Sequence, residues 1–197
     1  MKLPPIVAIT PGDSRALGPW IAALGHAGLP ALLVREPHRT PDDVQRILEV
    51  ALRHIPTVWL HARTPHHEAT RRSIAGLHLP DQNRPAPAGH PWGRSCHDVQ
   101  GVRSAWLNGA SWTFLSPIHP PTSKPDDRRP PLGVAVFEQL RGPVYALGGQ
   151  TPERHGEVLR AGAAGSAVLG DLFGRDTPAH AARRLESWLA QNAKSSS

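Results

Sequence analysis

The stretch that decides the fold is Val144-Tyr145-Ala146-Leu147-Gly148-Gly149-Gln150-Thr151-Pro152, followed one helix-length later by Val168-Leu169-Gly170-Asp171. A short apolar run, predicted as a strand over Val144–Leu147, ends in tandem glycines, and a Thr-Pro pair then opens a helix predicted over Pro152–Ala161. A second apolar run, Ser166–Leu169, ends in another glycine. This order of strand, glycine loop, helix and strand is a β-α-β unit, which predicts a parallel sheet.

The same alternation extends back to the N-terminus. Further strands are predicted at Ile6–Thr10, Ala31–Val34, Thr57–His61, Gly76–Leu79, Gly93–Ser95 and Trp112–Leu115. Helices are predicted at Ala16–Leu24, after a Thr40 cap, at His66–Ile74, from an Asp98 cap to Leu107, at Val134–Leu140 and at Pro178–Ala190.

Eight short β-α units in 197 residues predict a compact α/β fold, a (β/α)8 TIM barrel. We expect one domain over residues 1–191 and a disordered tail over 192–197. An open doubly wound sheet is the alternative, which the lack of a G-x-G-x-x-G run after the first strand weakens.

The amino-acid composition limits the classes of function that this protein can have. The formal charge is +6, but the arginines are scattered rather than gathered in a stripe with aromatics, which favours a small anionic substrate over nucleic acid. A single cysteine excludes an internal disulfide framework and a cysteine-based zinc site. Since there is neither an 18-residue apolar span nor a signal-peptide pattern, we expect a cytoplasmic protein with no membrane contact.

The glycine loops after the seventh and eighth strands predict a phosphate site. Glycine lets a backbone approach a ligand closely, and in barrels these two loops with a helix N-terminus commonly hold phosphate. The predicted phosphate-binding residues are Gly148, Gly149, Leu169 and Gly170. A simple tight turn is the alternative for the glycine pair.

Two other strand ends carry polar side chains. Ser95 at the fifth strand is placed to orient a ligand, whereas its neighbour Cys96 is expected to be buried and inert because adjacent strand residues face opposite sides. The long loop after the sixth strand contributes His119 as a candidate acid or base, and Ser123 and Lys124 as candidate phosphate ligands.

The twelve histidines do not form a metal signature. The run His66-His67-Glu68 lacks the i, i+4 histidine pair of a zinc protease helix. His61 and His78 end neighbouring strands and are expected to meet, with His78 as a substrate contact rather than a metal ligand.

Together these segments resemble the thiamine phosphate synthase/TenI family. The resemblance runs from Ala8-Ile9-Thr10 through Gly76-Leu77-His78-Leu79 and Gly93-Arg94-Ser95-Cys96-His97 to Ala167-Val168-Leu169, and it is most specific at 144–154. It implies a compact (β/α)8 barrel of thiamine biosynthesis that binds a small phosphorylated thiazole. It leaves the oligomeric state open, with a homodimer as one possibility.

Two branches of that family differ in chemistry. The synthase joins a pyrimidine diphosphate to thiazole phosphate and uses Mg²⁺, with Gln-x-Arg-x-Lys after the second strand and carboxylates after the third and fourth. Here the corresponding positions keep Arg35 but have His61-Ala62 after the third strand and Asn83 after the fourth, with Asp81 shifted by two. Lost carboxylates weaken a magnesium site.

The TenI-like branch, the thiazole tautomerases, shifts a double bond with a histidine that moves one proton. That histidine aligns with Pro117, and His119 stands two residues later. We therefore predict a thiazole tautomerase with His119 as the proton shuttle and Arg35 facing a carboxylate or second phosphate. It would need no cofactor, and Mg²⁺ only if it is a synthase. Three alternatives stay open. They are a synthase with a rearranged magnesium site, a binding or regulatory homologue without turnover, and another phosphate-binding barrel such as a sugar-phosphate isomerase.

Overall fold

A computed structural model of the chain describes residues 3–81, 87–120 and 129–195. Its centre is a closed barrel of eight parallel strands, each paired with the strands before and after it in sequence, and β1 is paired with β8. The strands are β1 Ile6–Ile9, β2 Ala31–Val34, β3 Thr57–His61, β4 Gly76–Leu79, β5 Trp92–Cys96, β6 Trp112–Leu115, β7 Val144–Ala146 and β8 Gly165–Val168. The predicted barrel is thus confirmed, and the open-sheet alternative is wrong.

Helices cover the barrel unevenly. The α-helices are α1 Gly18–His26, α2 Pro41–His54, α3 Val99–Leu107, α4 Pro152–Arg160, α5 Gly170–Phe173 and α6 Pro178–Ser195. The Thr40 and Asp98 side chains cap α2 and α3 by accepting from the amides of Asp43 and Gly101, as the sequence predicts. Residues 192–195, predicted as part of a disordered tail, lie within α6.

Two of the predicted helices are shorter than expected and of the 3-10 type. The segments 66–74 and 134–140 contain only the short 3-10 helices Glu68–Arg72 and Val134–Gln139. Neither has a side-chain cap to satisfy the amides of its first turn. The barrel is therefore thinly covered on these sides.

Strand residues alternate between two apolar layers. Ile6 and Ala8 face the helices, whereas Val7 and Ile9 face the barrel interior, as expected for side chains of period two. The interior is filled by an aromatic cluster in which the Trp59 and Trp112 rings stack, with centroids 4.1 Å apart. Both tryptophans are fully buried core residues.

Two glycines create the space that this cluster needs. A Cβ added at Gly76 would lie 2.6 Å from Cη2 of Trp112, and one added at Gly93 would overlap the same indole. The wide indole therefore fits only because the strands beside it have no side chain there. Within the described ranges, no helix is long and apolar enough to cross a membrane.

Candidate active site

Two loops at the carboxyl ends of β7 and β8 enclose a cup of about 310 Å³. Its wall consists of residues 147–151, residues 167–171 and Arg175. The predicted phosphate residues Gly148, Gly149, Leu169 and Gly170 all line it. The tandem glycines and the glycine after β8 thus meet across one cavity, as the barrel topology requires.

The main chain of Gly148 and Gly149 is oriented so that their carbonyl groups point away from the cup. The Gly148 oxygen accepts hydrogen bonds from Nε2 of Gln150 (3.0 Å) and from the His119 amide (3.3 Å), and the Gly149 oxygen accepts from Arg154. In a trans peptide the following N–H points opposite to the carbonyl. The amides of Gly149 and Gln150 are therefore directed into the cup, and within the described residues neither donates a hydrogen bond. Such a pair of amides is an anion-binding feature.

Positive backbone angles make this turn possible. Gly148 has φ of 93° and Gly149 has φ of 59°, which favour glycine. A Cβ at Gly149 would also overlap the Pro120 carbonyl oxygen and lie 2.9 Å from Cβ of His119. The glycines are therefore needed for both conformation and space, and not only as a flexible turn.

A directed chain of hydrogen bonds supports the cup from below. Ser166 donates to Oε1 of Gln150 (3.3 Å), so the Ser166 oxygen accepts from Nδ1 of the buried His155 (2.9 Å). Gln150 Nε2 then donates to His119 Nδ1 (3.0 Å). Burial lowers the pKa of His155 to about 4, which keeps this ring neutral at pH 7. Sequence reasoning missed Gln150 and His155, because nothing local marks residues that act from beneath a loop.

A second, central cavity of about 340 Å³ adjoins the cup. Leu147, Gly148 and Leu169 line both, so the two are continuous. The predicted residues Arg35, His78 and Ser95 line the central cavity and are brought together. Its other polar side chains are His61, Arg63, Asp81, His97, Ser116 and Arg129.

One hydrogen-bonded chain fixes the predicted residues His78 and Ser95. Trp112 can only donate, and its Nε1 lies 3.1 Å from His78 Nδ1. The proton of the neutral ring is therefore on Nε2, which donates to Ser95 Oγ over 2.9 Å. Burial, with a smaller contribution from nearby His61, holds the pKa of His78 well below its usual value. The Ser95 hydroxyl proton is thus left to point toward a ligand.

His97 is a cavity residue that the sequence reasoning did not choose. Its Nδ1 lies 2.8 Å from the Ser116 carbonyl oxygen, and its Nε2 lies 3.4 Å from Oδ2 of Asp81. The Arg129 guanidinium also contacts Nδ1. The signal that could have found His97 is its spacing, because a residue two places after Ser95 continues on the same inward face.

The structure does not bring His119 into the central cavity. Its ring is held by Gln150 and by Oε2 of Glu157, which is 3.6 Å from Nε2, so it faces α4 instead of the cavity lining. Desolvation is the main cause that lowers the pKa of His119, and Arg154 adds to it while Glu157 opposes it. The predicted shuttle is thus positioned as a support of the cup.

Other predicted features have clear outcomes. Cys96 is buried, and desolvation raises the pKa of its thiol to about 12, which fits the predicted inert role. His61 and His78 do meet, with ring centroids 6.1 Å apart. Ser123 and Lys124 lie outside the described residues.

The cavity residues do not suit magnesium. Mg²⁺ favours carboxylate oxygens, but Asp81 is the one carboxylate among the described cavity residues and it pairs with His97. Arg35, Arg63 and Arg129 line the same space and disfavour a divalent cation. Across residues 3–81, 87–120 and 129–195, no three histidine, cysteine or acidic side chains are grouped as metal ligands would be.

Fold and site together define a (β/α)8 barrel with a glycine-rich cup at its seventh and eighth strands and an arginine- and histidine-lined cavity beside it. Residues 7–172 match the sequence model of the family described as thiamine monophosphate synthase, TMP-TENI, and the chain belongs to that family. The resemblance drawn from the sequence motifs is thereby confirmed.

Individual relatives carry the same name. The chain is 36% identical over 99 residues to a thiamine-phosphate synthase of Chromobacterium violaceum, covering 49% of this chain and 48% of the relative. It is 33% identical over 118 residues to one from Methanoculleus marisnigri, covering 58% and 56%. The matched region thus spans about half the length of these relatives.

A solved structure supports the fold. The thiamine phosphate pyrophosphorylase from Pyrococcus furiosus superposes with a TM-score of 0.79 and 14% identity, covering 96% of both chains. At that identity the likeness concerns the barrel itself. The alternative of an unrelated phosphate-binding barrel is excluded by the family match.

Proposed function

We propose that this protein is a thiamine-biosynthesis enzyme that binds a phosphorylated thiazole and transfers a proton on the thiazole ring, as a metal-independent tautomerase. The phosphate would occupy the cup, and the ring would lie in the central cavity. The observation that carries the proposal is the make-up of that cavity: among the residues that the structure describes, three histidines and three arginines line it against a single carboxylate.

The amides of Gly149 and Gln150 would bind the phosphate group of the ligand. Two directed N–H groups recognise an anion without a metal. The start of α4, whose first residue Pro152 follows these amides, adds the positive end of a helix dipole. A phosphate bound here would place the attached ring over Leu147, Gly148 and Leu169, which the two cavities share.

The thiazole ring would contact polar groups whose directions are fixed by hydrogen bonds. Ser95 presents its hydroxyl because His78 already donates to its oxygen. Arg35, Arg63 and Arg129 would face the carboxylate of a thiazole carboxylate and stabilise the negative charge that spreads onto it when a ring carbon loses its proton.

His97 is the group in this cavity best placed to move the proton. Its Nδ1 contacts the Ser116 carbonyl oxygen and the Arg129 guanidinium, and Nε2, on the Asp81 side, would exchange the proton with the ligand. Asp81, 3.4 Å from Nε2, would stabilise the imidazolium that forms. The proton leaves one carbon of the dihydrothiazole and returns to another, so the atoms balance and the ring becomes aromatic.

A synthase is the second candidate, and the names of the relatives favour it. One assay separates the two. The purified full chain is given carboxythiazole phosphate as its non-aromatic tautomer, with EDTA or with Mg²⁺, and aromatisation is followed by absorbance. We expect equal conversion in both.

A parallel reaction supplies a pyrimidine diphosphate and thiazole phosphate. Thiamine phosphate formed only with Mg²⁺, without aromatisation in the first assay, would assign the synthase instead. Saturable binding of carboxythiazole phosphate with neither reaction would assign the homologue without turnover.

A further inference from the structure

Two arginines share one carboxylate beside the cup. Arg175 donates from Nε to the Asp171 carbonyl oxygen over 2.8 Å, and its Nη2 pairs with Oδ1 of the same residue. Arg184 donates from Nε to Oδ2 over 2.7 Å, and Trp188 Nε1 donates to that oxygen over 2.9 Å. Asp171 is therefore paired with two arginines, and Arg184 also interacts with the Glu153 carboxylate.

The two arginines differ in what else they reach. Arg175 lines the cup, together with the glycine loops, and Arg184 does not. The bonds to Asp171 use Nε and Nη2 of Arg175, and Nη1 donates no hydrogen bond within the described residues. Anchoring through one edge leaves the other part of the planar guanidinium for a second anion.

We propose that Arg175 is a phosphate-binding residue that selects a doubly charged phosphate monoester over the uncharged alcohol. This rests on the proposed placement of phosphate in the cup. The amides of Gly149 and Gln150 supply direction but no net charge, and Asp171, which also lines the cup, would repel phosphate if it were unpaired. Arg175 neutralises that carboxylate on one side and supplies a charge-assisted hydrogen bond on the other.

The test compares Arg175→Gln with Arg184→Gln. Both variants remove one ion pair to Asp171, but only the first removes a side chain from the cup. Binding of thiazole phosphate and of the unphosphorylated thiazole alcohol is measured by calorimetry, with thermal unfolding as a check on folding. We expect Arg175→Gln to weaken phosphate binding about tenfold and Arg184→Gln to change it less than about twofold.

Further readouts separate binding from structural support. Arg175→Gln should leave alcohol binding unchanged, and Arg175→Lys should recover part of the phosphate affinity. Two outcomes would overturn the role of Arg175 but leave the cup as the phosphate site. The first is an equal loss of phosphate affinity in Arg175→Gln and Arg184→Gln. The second is an unchanged phosphate affinity in Arg175→Gln while the wild type binds phosphate. A wild-type protein that binds neither compound would overturn the cup as the phosphate site together with this proposal.

Discussion

The cup and the central cavity lie side by side but are built from different parts of the chain. The cup is formed mainly by main chain, with the carbonyls of Gly148 and Gly149 hydrogen-bonded outside it and the amides of Gly149 and Gln150 turned inward. The central cavity is formed by side chains such as Arg35, Ser95 and His97, which come from separate strand ends.

This difference separates recognition from chemistry. Backbone amides bind an anion whatever the rest of the ligand is, so under the proposed function the cup would accept any phosphate of the right size. The cavity instead depends on which protons its side chains carry, as in the chain from Trp112 through His78 to Ser95. Changes in the cup should therefore alter affinity, and changes in the cavity should alter turnover.

The largest effect is expected at His97. We expect His97→Gln to lower kcat of aromatisation by about 10²–10⁴, with KM changed only a few-fold, because a positioned acid or base contributes that much. The matched control is His67→Gln, since His67 also pairs with an aspartate, Asp42 at 2.8 Å, but lies on the surface. Steady-state kinetics measure both. Full turnover in His97→Gln would place the proton transfer on another residue.

The next effect concerns the buried support of the cup. At pH 7 His155 is neutral in the folded and the unfolded chain. As pH falls through about 6.5, the unfolded chain takes up a proton that the folded chain, with a pKa of about 4, does not. Stability should therefore fall between pH 6.5 and 4 by about 3 kcal/mol from this residue, and level off below.

Denaturant unfolding at several pH values measures this loss. His155→Asn retains a donor for Ser166 but cannot titrate, so its stability should fall less steeply in that range. His180→Asn, at an exposed position of α6, should keep the wild-type profile. The lowered pKa of buried His78 acts in the same direction and remains in both variants. Identical profiles for His155→Asn and wild type would contradict the role given to His155.

A smaller effect is expected from Gly149→Ala. The new Cβ would meet the Pro120 carbonyl oxygen and disfavour φ of 59°, so the cup amides would shift. We expect KM for the phosphorylated substrate to rise about tenfold, as one charged hydrogen bond is lost, with kcat little changed. Gly162→Ala is the control, because φ there is 100° but a Cβ would have no neighbour within 4 Å.

Both glycine variants should lose about 1 kcal/mol of stability through strain. Only Gly149→Ala should lose affinity. An equal rise of KM in Gly162→Ala would mean that affinity follows stability and not the geometry of the cup.

The smallest effect is expected at His119. Replacing it by alanine removes a partner of Gln150 but leaves the bond from Gln150 to the Gly148 carbonyl. We expect KM to rise about two- to threefold with kcat unchanged, because a contact that does not reach the ligand should contribute near the low end for a neutral hydrogen bond, about 0.5 kcal/mol. A loss of kcat by orders of magnitude would restore His119 as the proton shuttle and move the chemistry toward the cup.

The sequence predicts the barrel well because its strands are short apolar runs between turn residues. The bounds of β2, β3, β4 and β6 agree with those expected from the sequence. The segments 66–74 and 134–140 differ, because apolar spacing over so few residues cannot distinguish a 3-10 turn from an α-helix.

The site is less predictable from sequence where the direction of a side chain determines whether that residue lines the cavity. Gly148 and Gly149 are found from sequence alone, since a glycine pair at a strand end specifies the backbone. His97 and His119 both follow strand ends, but only the fold shows that one ring turns into the cavity and the other toward α4. The contact between His119 and Gln150 joins residues 31 apart in sequence, which no local pattern encodes.

The stacked tryptophans inside the barrel give the protein a built-in optical reporter. The indole of Trp112 is 4.1 Å from that of Trp59 and bonds through its N–H to His78, which in turn bonds to Ser95. A ligand that accepts a hydrogen bond from the Ser95 hydroxyl changes the electric field along this series of hydrogen bonds. It therefore alters the emission and the coupled near-ultraviolet dichroism of the two tryptophans. Occupancy of the central cavity can thus be followed without a label through the coupled dichroism of this pair, whereas a ligand in the cup would act first on Trp188, whose N–H bonds to Asp171.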